Sequence, residues 1–561
     1  MLATDSISHI PVWGWVAITA ALLCAWAASF RYQKGLNKYK GPFIASFTNF
    51  WRLWQWVWYT DRCAYPSVVK YGKIIRVGPN TLLFNDPDAI KDIYMTHFSK
   101  VRDAILDQDT LPSSAPFGVK SLSNAAILQS DFYKVGQGVS RGVAVPNIFS
   151  TTDRIYHGKL RRSVANAFAL STLVNYEPYV TDTVTTFLAQ LDQRFAGRPG
   201  PDGICDMSEW TKFFALDVVS ALTMGKGYGL LEAGYDHIGI IEARTTFLRY
   251  FTIVNNVTWL DRVLKKNPVL LWLGRMGLWN SVTATVPIAQ RQLDQKKRDF
   301  KGVNENEKTR VDLLTKFLQA KVDNPDIVDD RAVLGLTLSM VNAGSGTVAT
   351  TLAATFYFLL KYPHVMKELV AEIDSHFPPP SATSNSGKGT GPINFAEYVV
   401  PFAESQKLPF LDAVLKEIFR LWPGLGMQLI ERVTPPEGAH ILGEYIPGNI
   451  IVSCNAWIMH RHKPTYGEDV EVFRPQRWLD ATPEQQAAMN KALLVWGAGP
   501  NTCIGKNIAF LELYKVVPSV LRVFTLELAD PEKEWKIFNL GDPEPSEFFV
   551  RCQPRYRKML M

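Results

Sequence analysis

The stretch WGAGPNTCIGKNIA, from Trp496 to Ala509, places one cysteine among three glycines and a proline and then runs into an apolar helical pattern. A disulfide or a buried core thiol does not need such a loop. The chain has six cysteines at wide, irregular spacings, with no Cys-x-x-Cys pair and no set of cysteines and histidines at zinc-ligand spacing. Cys503 is therefore predicted to be a lone thiol with a special role.

The loop around Cys503 is suited to holding a thiolate. The thiolate is the form of cysteine that binds metals, and its charge must be stabilised where it is buried. The backbone amides of a glycine loop and the start of a helix supply that stabilisation without a positive side chain. Gly497, Gly499 and Gly505 allow unusual backbone angles and the close approach of a flat cofactor, against which Trp496 is expected to pack.

Two basic residues in HGKLRRSVANAF, His157 and Arg161, are four residues apart and share one helical face. This spacing suits the binding of an anion, and a solvated basic face is the alternative interpretation. A lone cysteine ligand together with an anion-binding Arg161 implies an iron macrocycle that carries carboxylates. Thiolate donation to haem iron favours cleavage of an O–O bond.

A long apolar helical pattern runs from Asp329 to Pro363, and it predicts either a second membrane span or the central helix of a large core. Its middle contains Gly344, Ser345, Gly346 and Thr347. The two glycines cost about 2 kcal/mol of helix propensity. One interpretation is a helix-packing seam of small residues. The other is a groove for a small ligand beside a proton-donating Thr347, which makes Gly344, Ser345 and Thr347 candidate catalytic residues.

A second helical pattern, LDAVLKEIFRLWPG, places Glu417 and Arg420 three residues apart on one face. Surface salt bridges use the same spacing, so the pair alone is weak evidence. Arg477, in the irregular segment FRPQRW, is expected to join them, because the planar guanidinium binds a carboxylate while its other donors hold backbone carbonyls. We call this predicted set of three residues the clamp.

The N-terminal stretch from Ile10 to Phe30 is apolar and uncharged and is long enough, as a helix, to cross a bilayer. Four basic residues come after it, Arg31, Lys34, Lys38 and Lys40, which predicts that the rest of the chain faces the cytosol. A cleaved signal peptide is the alternative. It is disfavoured because the apolar stretch is too long and no basic segment precedes it.

The overall composition is that of a globular protein, with 47% hydrophobic and 20% charged residues in 561. The net charge of +7 suits an acidic protein partner or an anionic membrane surface. Nucleic acid is not expected as a partner, because the basic residues are dispersed and no recognition motif accompanies them.

The order of patterns predicts a mainly α body with small β-sheets (α+β). Residues 71–94 read as a β-hairpin followed by a helix, residues 103–154 as a long loop region, and residues 157–377 as mostly helical. We expect a membrane anchor with a basic linker in residues 1–40 and one catalytic body in residues 41–561.

Together and in this order, the motifs are similar to those of the cytochrome P-450 family of haem-thiolate monooxygenases, and to its membrane-anchored fungal members in particular. The resemblance covers nearly the whole chain after the anchor. It rests on the 71–94 segment, the His157–Arg161 pair, the AGxxT centre of the long helix, the Glu417–Arg420 pair with FRPQRW, and the cysteine loop. It implies the cytochrome P-450 fold with an N-terminal transmembrane helix.

The resemblance implies haem b as the cofactor, with Cys503 as the axial ligand of its iron. His157 and Arg161, and Arg432 in IERV, occupy positions that contact the haem propionates. Thr347 occupies the position of the hydroxyl that assists proton delivery to dioxygen. The clamp residues match a structural motif of the family.

The resemblance also implies electrons from NADPH through NADPH-cytochrome P-450 reductase, which docks by an acidic face. Lys159, Arg162 and Lys506 are candidates for the basic docking face. The implied activity is the insertion of one oxygen atom from O2 into an apolar organic substrate, with a fungal terpenoid or polyketide scaffold as the expected class. The implied location is the membrane of the endoplasmic reticulum, with a single span.

The chain departs from the family pattern at three positions. Asn501 replaces the usual arginine, Trp496 replaces the usual phenylalanine, and Gly346 replaces the acid that usually precedes the threonine. Water or a substrate hydroxyl is expected to fill the gap at Gly346. Two alternatives stay open: an isomerase or dehydratase that acts on peroxides without O2, and a non-catalytic haem sensor or carrier.

Overall fold

The computed structural model of the protein describes residues 12–58, 63, 65–95, 128–279, 282–300, 311–378 and 393–555. The N-terminal apolar stretch forms helix α1, Val12–Tyr32, which is long and apolar enough to span a membrane and whose most apolar part is not buried by the protein. This candidate span agrees with the predicted anchor. The predicted loop region 103–154 lies outside the described residues up to residue 127.

The linker after α1 is fastened to the rest of the protein. The buried guanidinium of Arg76 donates hydrogen bonds of 2.7 Å to the carbonyls of Phe30 and Arg31. Lys34 donates to the carbonyl of Gly448 at 2.7 Å. The end of α1 is therefore held against the body of the protein.

The body is mainly helical, as predicted. Its longer helices are α2 Phe50–Trp58, α3 Arg154–Val164, α4 Leu173–Arg194, α5 Met207–Met224, α6 Ile240–Val254, α7 Pro268–Arg275, α8 Val286–Asp299, α9 Leu313–Asp323, α10 Asp330–Ser339, α11 Gly346–Lys361, α12 Pro363–His376, α13 Pro409–Leu421, α14 Pro483–Ala492 and α15 Lys506–Val523. Shorter helices cover Ala89–Tyr94, Phe132–Val135, Leu230–Ala233, Trp259–Val263, Phe402–Ser405, Ala456–Met459, Lys463–Tyr466 and Gln476–Leu479.

The strands are short and form small sheets. They are β1 Ile74–Gly78, β2 Thr81–Phe84, β3 Leu128–Gln129, β4 Gly138–Ser140, β5 Val143–Val145, β6 Ile204–Asp206, β7 Arg432–Val433, β8 Ala439–Ile441, β9 Glu444–Ile446, β10 Ile451–Cys454, β11 Phe524–Leu528, β12 Lys536–Asn539, β13 Pro543–Ser546 and β14 Phe549–Pro554.

One five-stranded sheet has the order β1-β2-β10-β7-β3, and a three-stranded sheet has the order β11-β14-β6. The pairs β4-β5, β8-β9 and β12-β13 are separate two-stranded hairpins. In the large sheet β1 and β2 pair antiparallel, which confirms the predicted hairpin, and β10 adds to β2 in parallel. The mainly α fold with small sheets is therefore confirmed.

The predicted long helix forms the centre of the core. It consists of α10, a π-helical turn at Met340–Gly344 and α11, and 72% of its most apolar window is buried inside the protein. Helix α5 packs along α11, and large side chains from several helices, such as Phe187, Phe214 and Phe356, are fully buried around them. Its burial favours the core helix over the second membrane span.

Candidate active site

The cysteine loop folds back on itself just before α15. Gly497 and Gly499 adopt φ values of 69° and 66°, in the left-handed region that favours glycine. A side chain at Gly499 would also clash, because a Cβ there would lie 2.1 Å from the carbonyl oxygen of Tyr94. The amide of Cys503 donates to the carbonyl of Trp496 at 2.7 Å. The loop thus presents the thiol at the start of α15, as its sequence predicts.

The thiol of Cys503 is exposed, although the surrounding protein desolvates it like a buried group. Burial raises the pKa of the Cys503 thiol, and the amides of Gly505 and Lys506 oppose that rise together with the charges of Arg161 and Lys506. The expectation that amides act without a cation is therefore wrong, because two cations contribute.

Helix α3 brings basic residues to the same place. Its first turn is capped by Asp153, whose carboxylate accepts from the amide of Tyr156 at 3.0 Å. His157 is buried, and its pKa falls to about 4 because of burial first and then of the charges of Arg161, Arg432 and Arg154. The imidazole is therefore neutral at physiological pH and acts through hydrogen bonds.

Asn501 connects two of the predicted cofactor-binding residues. Its Oδ1 accepts from a terminal nitrogen of Arg432 at 3.1 Å, and its Nδ2 donates to Nε2 of His157 at 3.3 Å. Arg432 is buried and also donates to the hydroxyl of Tyr133 at 2.6 Å. The neutral amide therefore joins a buried cation and a neutral imidazole without adding another charge to the contact.

We call Arg154, His157, Arg161 and Arg432 the basic rim. The guanidinium groups of Arg154 and Arg161 have no hydrogen bond or ion pair within the part of the chain that the structure describes, and burial lowers the pKa of both. Unpaired, half-buried cations call for anionic partners. A single thiol beside this rim is a donor set that fits an iron macrocycle with carboxylate substituents.

Arg154 is a site residue that the sequence analysis does not identify. It lies three residues before His157 and seven before Arg161, so all three share one helical face. That spacing is the signal by which the sequence could have revealed it. Arg154 is not predicted because it is the last residue of the segment 103–154, which the sequence pattern assigns to a loop.

The small residues at the centre of the long helix have different surroundings. The hydroxyl of Thr347 donates to the carbonyl of Ala343 at 2.9 Å, and Ala343 is exposed. Among the described residues, no hydrogen bond links Thr347 to the cysteine loop. A Cβ at Gly344 would lie 2.7 Å from Cγ2 of Val219 on α5. Gly344 therefore allows two helices to pack closely, which agrees with the interpretation of this segment as a helix-packing seam of small residues.

Ser345 does not have the position expected of a catalytic residue. Its side chain is 2% exposed, and its hydroxyl donates to the carbonyl of Val341 at 2.9 Å within the same helix. The catalytic prediction for Ser345 is therefore corrected. The π-helical turn just before it changes which residues face the core.

The gap expected at Gly346 is filled by protein. A Cβ at Gly346 would lie 1.6 Å from a terminal nitrogen of Arg244 on α6, so the guanidinium occupies the space of the missing side chain. The expectation that water or a substrate hydroxyl fills this place is therefore wrong.

The clamp forms as predicted, fully inside the protein. Glu417 accepts from Arg420 at 2.8 and 2.9 Å and from Arg477 at 2.9 Å. Arg420 also donates to the carbonyls of His460 and Val470, at 3.1 and 2.6 Å. The clamp thus ties α13 to the irregular segment that leads to the cysteine loop.

Trp496, at the start of the cysteine loop, packs against two helices of the body. Its ring lies 5.1 Å from that of Phe419 on α13 and 5.2 Å from that of Phe510 on α15, measured between centroids. These contacts fix the start of the loop between two helices. They leave its expected contact with a cofactor as a prediction.

Comparison with known proteins agrees with this geometry. The sequence profile of the cytochrome P450 family matches residues 147–550. The chain is 33% identical to cytochrome P450 monooxygenase cicH of Emericella nidulans, over 94% of this chain and 95% of that protein. It is 32% identical to a cytochrome P450 monooxygenase of Aspergillus terreus, over 86% of this chain and 89% of that protein. Both relatives are fungal.

Proposed function

The chain belongs to the cytochrome P450 family, and we propose that it is a reductase-dependent monooxygenase that inserts one oxygen atom from O2 into an apolar organic substrate. The observation that carries the proposal is the Cys503 thiol, presented by a glycine loop at a helix start beside the basic rim. When bound, haem b supplies iron that activates dioxygen, and thiolate donation favours O–O cleavage.

In this proposal each residue of the site has a defined task. Cys503 ligates the iron, and the amides of Gly505 and Lys506 stabilise its negative charge. Arg154, Arg161 and Arg432 hold the carboxylates of the cofactor by charge-assisted hydrogen bonds.

Two neutral residues complete the rim. His157 contributes hydrogen bonds without adding a fourth positive charge, because its pKa is lowered to about 4. Asn501 keeps Arg432 and His157 in fixed positions through its two hydrogen bonds. The charge of the rim is thus limited to three arginines.

Thr347 is the proposed proton-handling hydroxyl of the long helix. Its hydroxyl is half-buried and bonds only to the carbonyl of Ala343 among the described groups. That bond is made one helical turn away, next to an exposed alanine. The hydroxyl can therefore turn to accept and pass on a proton without disturbing the core.

The proposed electron donor is NADPH-cytochrome P450 reductase. Arg162 is exposed, and Lys159 and Lys506 are half-buried. Lys506 starts α15 directly after the cysteine loop. A basic face next to the loop would steer an acidic partner to the sulfur side of the cofactor.

Membrane attachment at the endoplasmic reticulum is part of the proposal. It is supported by α1 and by exposed tryptophans elsewhere, such as Trp54 on α2 and Trp272 on α7. Tryptophan is favoured at membrane interfaces because one part of its ring system is apolar and the N–H is polar. The proposed substrate class, a fungal terpenoid or polyketide scaffold, would reach the enzyme from the lipid.

The test is co-expression of the full chain with a fungal NADPH-cytochrome P450 reductase in a fungal host under 18O2. We expect a metabolite that appears only with the chain and carries one 18O atom, and a strongly red-shifted absorption of the reduced protein with carbon monoxide. A new product without 18O or NADPH use would favour the isomerase or dehydratase. Haem without any new product would favour the sensor or carrier.

Arg161→Gln is expected to weaken retention of the cofactor. The rate of haem transfer from the purified protein to apomyoglobin should rise by about tenfold or more, since a charge-assisted hydrogen bond contributes about 1.5–3 kcal/mol and about 1.4 kcal/mol is a factor of ten. The matched control is Arg298→Gln, which changes an exposed arginine on α8. Equal transfer rates for the two variants would contradict the role of Arg161.

A further inference from the structure

A cluster of four charged side chains, three of them buried, lies against the centre of the long helix. It consists of Lys212 on α5, Arg244 on α6, Asp542 at the turn of the β12–β13 hairpin and Glu544 on β13. We call it the ion cluster. The three members that touch one another most closely, Arg244, Asp542 and Glu544, are each less than 10% exposed.

Arg244 brings this cluster to Gly346. Its terminal nitrogen lies 1.6 Å from the position of a Cβ at Gly346, and its central carbon lies 2.2 Å from it. Its Nε also donates to the carbonyl of Asn342 in the π-helical turn, at 3.3 Å. Absence of a side chain at Gly346 is thus what admits the guanidinium.

The nitrogen that occupies this space also holds a carboxylate. The NH2 group of Arg244 donates to Oδ2 of Asp542 at 2.8 Å. The guanidinium of Arg244 therefore links the carboxyl of Asp542 to the space that an acidic side chain at position 346 would occupy. Thr347, the proposed proton-handling hydroxyl, is the next residue of the helix.

The two carboxylates of the cluster differ in their partners. Glu544 pairs with Arg244 and, at 3.7 Å, with Lys212. Burial opposes ionisation of Glu544, but the charges of Arg244 and Lys212 outweigh it and lower its pKa. Glu544 therefore remains a carboxylate at every physiological pH.

Asp542 has fewer partners and a free oxygen. Its Oδ1 is buried and makes no hydrogen bond within the described part of the chain, so it is available to a water molecule. Burial raises the pKa of Asp542 to about 6, against the charge of Arg244 and with the help of the Glu544 charge. The charged groups that act on its carboxyl are thus Arg244 and Glu544, and Lys212 lies 3.7 Å from Glu544.

We propose that Asp542 is the proton-supplying residue that replaces the acid missing from the long helix, and that Arg244 is the positioning residue that holds its carboxyl beside Gly346. This inference rests on the proposed monooxygenase function. It assigns a place in that reaction to a carboxyl from the C-terminal hairpin, which is almost two hundred residues away along the chain.

The proton balance of the reaction defines the step. Monooxygenation consumes one O2, two electrons from NADPH and two protons, and it forms one water. The protonated carboxyl of Asp542 gives its proton through water at Oδ1 to the hydroxyl of Thr347, which passes on its own proton. The carboxylate that remains is stabilised by Arg244 and takes the next proton from solvent. No other co-reactant is required.

The first test is independent of turnover. In infrared difference spectra of the purified holoenzyme between pH 5 and 8, the wild type should lose a protonated carboxyl band as the pH rises. Asp542→Asn should lack this band, whereas the control Glu544→Gln should keep it, with its loss moved to lower pH because the charge of Glu544 helps raise the pKa of Asp542. Persistence of the same band in Asp542→Asn would overturn the proposal.

The second test measures the fate of electrons, with NADPH and reductase but no added substrate. Two electrons reduce O2 to hydrogen peroxide, and four electrons and four protons reduce it to two waters. Asp542→Asn should lower the rate of water formation by about tenfold or more and raise the peroxide share, since a positioned acid typically contributes 10²–10⁴-fold. The decline of water formation with rising pH in the wild type should be absent in this variant.

The control variants separate proton supply from a structural role. Glu544→Gln removes an ion pair of the same cluster but not the titrating carboxyl, and Asp542→Glu keeps an acid at the same place. Both should retain water formation within about threefold of the wild type, a change of less than about 1 kcal/mol. Equal losses in Asp542→Asn and Glu544→Gln would show that the cluster is only a structural tie and would overturn the proposal.

The outcome also distinguishes this inference from the proposed function. If the wild type shows the red-shifted absorption with carbon monoxide and consumes NADPH, the monooxygenase proposal stands whatever the variants do. If Asp542→Asn then behaves as the wild type, only the role of Asp542 fails.

Discussion

Cys503→His is expected to bind haem but to lose monooxygenase turnover by about 10³-fold or more, the effect of about 4 kcal/mol on the barrier. The imidazole is a neutral ligand, whereas the thiolate donates negative charge that favours O–O cleavage. The amides of Gly505 and Lys506, which stabilise an anion at this point, would then face a ligand without charge. Absorption spectra of the reduced protein with carbon monoxide and product formation under 18O2 measure the two effects.

The control for this variant is Cys552→Ala in β14. Cys552 is buried in the three-stranded sheet, and burial raises its pKa to about 12, so that it remains a protonated core thiol. Cys552→Ala should retain the red-shifted absorption and turnover, at a modest cost in stability. If Cys503→His kept the red-shifted absorption of the wild type, Cys503 would not be the ligand.

Glu417→Gln is expected to reduce the free energy of unfolding by about 3–5 kcal/mol, because it leaves the buried Arg420 without a carboxylate and leaves Arg477 with Asp469 alone. Glu417 and Arg420 are fully buried, and Arg477 is nearly so. The amide keeps the size of the side chain, so the loss reflects charge and hydrogen bonding. Urea denaturation followed by circular dichroism and by release of haem measures the effect.

A surface pair provides the matched control. Glu404 and Lys407 have the same i,i+3 spacing as the clamp pair but are about half exposed. Glu404→Gln should change the free energy of unfolding by less than about 1 kcal/mol, as exposed ion pairs do. Similar losses for Glu404→Gln and Glu417→Gln would contradict a stabilising role for the clamp.

The clamp also has a predicted pH dependence. Burial alone would raise the pKa of Glu417, but the hydrogen bond from Arg420 and the charges of Arg420 and Arg477 outweigh it and lower the pKa. An acid whose folded pKa is depressed contributes stability above its unfolded pKa, and that contribution is lost as pH falls through the folded value. The wild type should therefore lose more stability than Glu417→Gln in acid.

The sequence is a good guide where the structural cause is local. The loop of Cys503 depends on glycines that permit left-handed backbone angles and on the helix start that comes after them. The pairing of Glu417 with Arg420 depends on three-residue spacing on one helix. The β1–β2 hairpin and the long helix are predicted from apolar periodicity in the same way, whereas the burial of that helix comes from the structure.

Sequence reasoning is weaker where the helix itself is irregular. The π-helical turn at Met340–Gly344 adds residues to one turn and rotates the next helical residues relative to a regular α-helix. Ser345 consequently faces the core and Gly344 faces Val219, although both lie in a motif that reads as one groove. Helical spacing assumes a constant period, so it has no means of detecting such a turn.

By itself, the sequence determined the thiol, its loop, the clamp and the membership of a family, because these depend on residue type and short spacing. Only the tertiary structure decided that Asn501 bridges Arg432 and His157, and that Arg244 carries Asp542 to the side of Gly346. Such contacts join residues separated by up to 344 positions. These contacts form only when the helices and hairpins pack together, so no local sequence pattern predicts them.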